Sequence, residues 1–200
     1  MLKIYSVGCF RNLSISNVNI ILPLIETRQK LLVMNKKSAD ITLKDVLDIQ
    51  KKWGEGIIRI GKVYVENGNY EKEAEDFIDS LYGYDLGEVL FKPTLASEKQ
   101  FRTTKEGALS YFVGNNSGFP EDVGFALKPW QNVRWENRGI KTIGNMAIAM
   151  GNYYFLPANG NMEIKVEFTF AYTKDENGNL RIIMHGSHVP YGSTRNSLKP

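Results

Sequence analysis

The sequence predicts an α+β domain in which helices pack on one face of a curved, mostly antiparallel sheet. Three observations carry that expectation: apolar residues recur at helical spacing from residue 42 to 81, the period drops to two from Gln131 onward, and the alternating segments are joined by short turns of the hairpin kind. Helices first and a meander last is an α+β order.

The stretch ITLKDVLDIQKKWGEGIIRIGKVYVENG reads as one long helix. Thr42 supplies the N-cap, Asp45 sits in the first turn, and Val46, Ile49, Trp53, Ile57, Ile60 and Tyr64 form an apolar stripe. Gly54, Gly56 and Gly61 each cost on the order of 1 kcal/mol in a helix interior, so they predict the close approach of another backbone, such as a crossing sheet. NYEKEAEDFIDSLYGY gives a second helix, with Tyr70, Ala74, Phe77, Ile78 and Leu81 inward and Gly83 as its stop. TTKEGALSYFVG is a short third helix, read with a capping box between Thr103 and Glu106 and with Leu109 and Phe112 buried.

Four strands follow: NVRWENRG, NMAIAMGNYYFL, EIKVEFTFAYT and LRIIMHGSHVPY, with turns expected at Gly139, at 158–161 and at 175–179. In the third, Ile164, Val166, Phe168, Phe170 and Tyr172 face the core. In the last, alternation sends Arg181, Ile183, His185 and Ser187 to one face and Ile182, Met184, Gly186 and His188 to the other. His185 and Ser187 are therefore neighbours; the two histidines of the chain are not.

Composition narrows the function. The chain has 200 residues, 42% hydrophobic and 24% charged, and a net charge of +3 with no Lys/Arg block, so it is globular and carries no phosphate-tracking surface. Nucleic acid is not expected as a partner. A single cysteine, Cys9, excludes an internal disulfide and a multi-thiolate zinc site, and no apolar run is long enough to span a membrane. Residues 40–192 are expected to form one domain. Residues 1–39 are expected to be a poorly ordered or dispensable extension with a candidate start at Met34, and 193–200 a tail.

Motifs for familiar chemistries are missing. Metal binding by His185 and His188 together would need a break at Gly186, and no H-E-x-x-H spacing supplies carboxylates, so no metal is expected. No G-x-S-x-G elbow is present, and GEG (54–56) lies inside a helix with no strand leading into it, so no nucleotide cofactor is expected. Taken singly, His185 reads most simply as a hydrogen-bonded interior histidine, Thr94 as the start of a turn, Tyr111 as a core aromatic and Ser187 as a strand-end serine. Trp53, Trp130 and Trp135 read as packing residues.

Together, several segments say more. GYDLGEVLFKPTLASEKQFR, GALSYFVGN, FPEDVGFALKPW, MAIAMGNYYF and a terminal H-x-S followed by V-P-Y resemble, in order and spacing, the iota-class carbonic anhydrases. The resemblance covers about residues 40–192. It implies a cone-like fold as in nuclear transport factor 2 and ketosteroid isomerase, related to the association domain of calcium/calmodulin-dependent protein kinase II. It also implies reversible hydration of carbon dioxide to bicarbonate without a metal, in a pocket of hydroxyls and one imidazole. The Thr of the K-P-T segment falls on Thr94, the Tyr of A-L-S-Y on Tyr111, and the terminal His and Ser on His185 and Ser187. Thr94, Tyr111 and Ser187 would bind substrate and orient a water, while His185, with an ordinary imidazole pKa near ~6.5, would accept its proton.

Many members carry H-H-S-S where this chain has His185, Gly186, Ser187 and His188. Both replaced positions fall on the face opposite His185, so the pair His185 and Ser187 is expected to survive and any metal role of a doubled histidine to be weakened. The resemblance also implies a homodimer formed through sheet faces, and a cytoplasmic setting is expected. Two rival readings remain. A non-catalytic association module of the same fold would show an exposed apolar patch on the His188 face, and an isomerase or cyclase would need Asp85 or Glu88 turned inward as a base.

Overall fold

The computed structural model describes residues 40–160 and 162–192; the expectations for residues 1–39 and 193–200 lie outside them. Helix α1 (Leu43–Val65) starts where Thr42, in extended conformation, accepts a hydrogen bond from the Asp45 amide while the Asp45 carboxylate accepts one from the Thr42 amide. Its stripe is buried through Ile60, but Tyr64 is exposed and meets Tyr70 edge-on at 5.0 Å instead of reaching the core. The three glycines admit three different neighbours. A Cβ at Gly54 would meet Val133 of the sheet at 3.1 Å, one at Gly61 the carbonyl oxygen of Ala126 at 2.9 Å, and one at Gly56 would overlap the Phe77 ring.

Helix α2 (Tyr70–Leu81) is capped by Asn69 and packs Ala74, Phe77, Ile78 and Leu81 against α1. It does not end on Gly83. Tyr82 turns extended and bridges to Ile182, and the Gly83 amide donates to the Ile182 carbonyl, so the edge of the sheet captures the chain. Strand β1 (Leu90–Lys92) follows; with three residues it is too short to show a periodicity. Helix α3 (Lys105–Val113) begins one residue later than expected. Thr104 caps it by accepting from the Gly107 amide, while Glu106 accepts from Asn116. Phe112 is buried and Leu109 half-buried.

A 3-10 turn (Phe125–Leu127) leads into β2 (Trp130–Ile143), β3 (Met146–Pro157), β4 (Ile164–Lys174) and β5 (Leu180–His188). The sheet order is β1-β5-β4-β3-β2, antiparallel except for the β1–β5 pair. Gly139 is not a turn: β2 runs through it with a bulge between Asn137 and Gly139, and the chain reverses at Gly144, whose φ is +58°. Gly151 faces that bulge because a Cβ there would lie 2.8 Å from the Arg138 amide nitrogen.

A second bulge alters the last strand. Ala171 pairs with Met184 but Tyr172 with Ile182, so Ile183 is the extra residue and the expected alternation breaks there. Ile182, His185 and Ser187 are all buried on the helix side, whereas Met184, Gly186 and His188 lie on the outer side. Trp53 and Trp130 are core residues, and Trp135 is half-buried against them.

Candidate active site

Sheet register brings the imidazole of His185 between two rings. Phe91, His185 and Phe170 are successive partners across β1, β5 and β4, so their side chains stack in a row on the inner face. The ring centroids of Phe91 and Phe170 lie 4.6 and 4.0 Å from that of His185, and Trp53 of α1 meets it edge-on at 5.6 Å. Only 2% of His185 is exposed. Burial, helped by the charge of His188, pushes its pKa well below that of an ordinary histidine, so it is neutral at physiological pH.

Both ring nitrogens are engaged. Nδ1 shares a 2.9 Å hydrogen bond with Tyr82 Oη, which accepts another at 2.9 Å from the Trp53 indole N–H. Nε2 shares one of 3.3 Å with Tyr153 Oη. Tyr153 also interacts with Ser187, and Ser187 Oγ lies 2.6 Å from Thr94 Oγ1. A continuous line of polar groups thus runs from the middle of α1 through Tyr82, His185, Tyr153 and Ser187 to Thr94, which is half-buried.

Tyr111 enters from α3. Its buried ring stacks on Phe125 at 5.6 Å and meets Phe91 edge-on, and the backbone of Leu95, next to Thr94, tempers the rise that burial causes in its pKa. Burial pushes the pKa values of Tyr82, Tyr111 and Tyr153 up, so all three phenols stay protonated and able to donate. The loop carrying Thr94 and Leu95 is latched from outside. One carboxylate, Glu121, accepts from the amides of Ser97, Glu98 and Lys99 at 2.7, 3.0 and 2.8 Å and from the Ser97 hydroxyl at 2.9 Å. Against the opposing effect of burial, those amides hold its pKa at about 2.

Of the four residues singled out from the sequence, Thr94 and Ser187 are therefore in direct contact, His185 is joined to them through Tyr153, and Tyr111 reaches the Thr94 loop at Leu95. The expected direct transfer of a proton from water to His185 is not what this geometry offers, because Tyr153 and Ser187 stand between the imidazole and Thr94. Tyr82, Tyr153 and Glu121 escaped the sequence reading, and Trp53 was read for its packing alone. Tyr153 carried a weak signal, a hydroxyl at an inward position of an alternating strand, but its partner depends on register.

Asp85 and Glu88 are exposed, with Asp85 paired to Arg181 at 2.7 Å, which removes the isomerase or cyclase reading. Among the described residues no cluster of three or more His, Cys, Asp or Glu side chains could hold a metal ion, and no helix is long and apolar enough to cross a membrane. A cavity of about 470 Å³ lined by Asp45, Asp79, Arg181 and their neighbours contains none of the four site residues.

A family model described as metal-independent carbonic anhydrase matches residues 44–189. A metal-independent carbonic anhydrase of Nostoc sp. (strain PCC 7120) is 47% identical over 154 residues, covering 76% of this chain and 75% of the relative. A crystal structure of a cyanobacterial iota-carbonic anhydrase complexed with bicarbonate superposes with a TM-score of 0.74 at 44% identity, covering 77% of this chain and 95% of that one. With matches of that extent across the whole described domain, the chain belongs to the metal-independent, iota-class carbonic anhydrases.

Proposed function

We propose that this chain interconverts carbon dioxide and bicarbonate at the open end of the Thr94–Ser187 pair, with Tyr111 beside it and His185 behind it. The 2.6 Å bond between Thr94 and Ser187 carries the reading, since it holds two hydroxyls together where the interior meets solvent. In the hydration direction the oxygen of a water bonds to the carbon of carbon dioxide, one carbon–oxygen π bond gives its electron pair to oxygen, and the water's proton leaves to bulk water or buffer. The product is bicarbonate. Its oxygens accept hydrogen bonds from Thr94 and Tyr111, which stabilise the charge that develops as the water attacks. Ser187 fixes Thr94, and His185 acts at one remove, as the neutral partner that holds Tyr153 and through it Ser187.

The reading is tested by stopped-flow hydration of carbon dioxide with protein dialysed against a strong chelator. Activity that survives chelation and falls in Ser187→Ala and His185→Gln supports it. Activity lost on chelation and restored by a divalent metal overturns it.

A second observation concerns association. On the outer face Leu90, Met184, Ala171 and Ile148 are successive cross-strand neighbours, and Met146 and Met150 flank Ile148 along β3. Leu90, Ile148, Met146 and Met150 are exposed. That row supports a homodimer joined through its sheets. Ile148→Lys is expected to give a monomer in light scattering. The row would equally serve a module that only associates, and chelated protein that dimerises without hydrating carbon dioxide would favour that role. A cytoplasmic setting belongs to the same proposal and is checked by cell fractionation.

A further inference from the structure

The hydrogen bonds behind Thr94 contain one member whose direction is fixed by chemistry alone. An indole N–H only donates. Trp53 therefore gives its proton to Tyr82 Oη at 2.9 Å, and Trp53 and Tyr82 are 1% and 0% exposed, so no solvent competes there. The other hydrogen bond of Tyr82 is to His185 Nδ1. Its own hydroxyl proton is satisfied only if it points at Nδ1, since the reverse arrangement would make the phenol oxygen accept twice and bury a hydroxyl proton with no acceptor.

A neutral imidazole has one donor and one acceptor nitrogen. With Nδ1 accepting, the proton sits on Nε2 and is donated to Tyr153 Oη. Tyr153 then has its hydroxyl proton free for Ser187, the side chain that tempers its pKa, and a Ser187 that accepts from Tyr153 keeps its own proton for Thr94 at 2.6 Å. Every donor in the line points outward. The last proton, that of Thr94, is left facing the opening.

We propose that Trp53 is a positioning residue that polarises this line, locking His185 as its Nε2–H tautomer so that Thr94 presents a donor to the ligand. The inference deepens the proposed function and rests on its placement of the ligand at Thr94. Its chemical content is selectivity: the site favours ligands that accept at Thr94, such as an oxyanion oxygen, over groups that only donate. It also closes the inward route for a proton, because Nε2 is already protonated and the stacked rings of Phe91 and Phe170 hold the imidazole in its plane. The proton of the attacking water therefore leaves outward.

The experiment is a long-range proton–nitrogen correlation spectrum of protein labelled with nitrogen-15 at histidine, near neutral pH. His188→Gln leaves a single imidazole and so assigns the signals. The expected result is a protonated Nε2 and an unprotonated Nδ1 in His185, replaced in Trp53→Phe by a mixture of both tautomers. In the same variant kcat for hydration is expected to fall roughly tenfold with KM little changed, because binding contacts remain and their orientation is lost. A protonated Nδ1 in the unmutated site overturns the inference, as does Trp53→Phe that keeps pure Nε2–H. If Trp53→Phe does not fold, the spectrum of the unmutated site decides alone. An Nε2–H tautomer in protein that hydrates no carbon dioxide would sink the proposed function and leave the polarised line standing.

Discussion

Thr94 and Ser187 lie 93 residues apart in sequence and share a hydrogen bond of 2.6 Å. One follows the short parallel strand at the sheet's edge and the other is the next-to-last residue of the strand beside it, so the pair exists only once β1 has docked on β5. Thr94→Val keeps the side chain's shape and removes its hydroxyl. Turnover in stopped-flow hydration is expected to drop about a hundredfold, as for other single donors to a developing oxyanion. An unchanged rate would remove Thr94 from the mechanism.

Folding stability should respond to His185 with a definite sign. Its pKa in the fold is below the ordinary value, so the unfolded chain binds the proton more readily. The stabilisation is fully present above about pH 6.5 and is lost as pH falls below it, at up to about 1.4 kcal/mol per pH unit. Thermal melts between about pH 7.5 and 5.5 measure this. The pKa of His188 is lowered too, by burial and by Lys92. His188→Gln should therefore keep most of the slope, while a flat profile would show that His185 protonates freely in the fold.

Glu121→Gln weakens the latch on the Thr94 loop. It turns charge-assisted bonds from three amides into neutral ones, so a stability loss of about 1–2 kcal/mol is expected in urea titrations. The unmutated carboxylate should itself lose its contribution as pH falls from 4.5 toward 2, a window that the variant lacks. Equal acid sensitivity in both proteins would contradict the latch.

Gly56→Ala tests packing apart from chemistry. The new methyl would overlap the Phe77 ring, and crowding a filled core costs about 1–3 kcal/mol. Denaturant midpoints should fall while turnover per folded molecule stays the same, since Gly56 touches none of the hydroxyls. A full-strength fold would mean that Phe77 can swing away.

Periodicity made the two long helices, the four long strands and the pairing of His185 with Ser187 legible, because each is a property of local spacing. Three features were not local. The three residues of β1 show no period, the bulge at Ile183 leaves no mark on the alternation of neighbouring side chains, and the turn first placed at Gly139 belongs to Gly144 because a bulge absorbs Gly139 within the strand. Trp53 reads as a packing residue and is one; what it and the buried Tyr82 also do is visible only once register sets a nitrogen of His185 beside a phenol. The Thr94 and Tyr111 assignments came from resemblance to a family, since nothing in their own spacing points to each other.

The bulge at Ile183 has a meaning beyond geometry. Before it, Arg181 ties the strand to the end of α2 through the carbonyls of Asp79 and Tyr82; after it, His185 and Ser187 serve the site. One extra residue lets a single strand obey two independent phases. The anchoring half and the reacting half can thus each be altered without turning the other inside out, much as a coupling joins two shafts set at different angles.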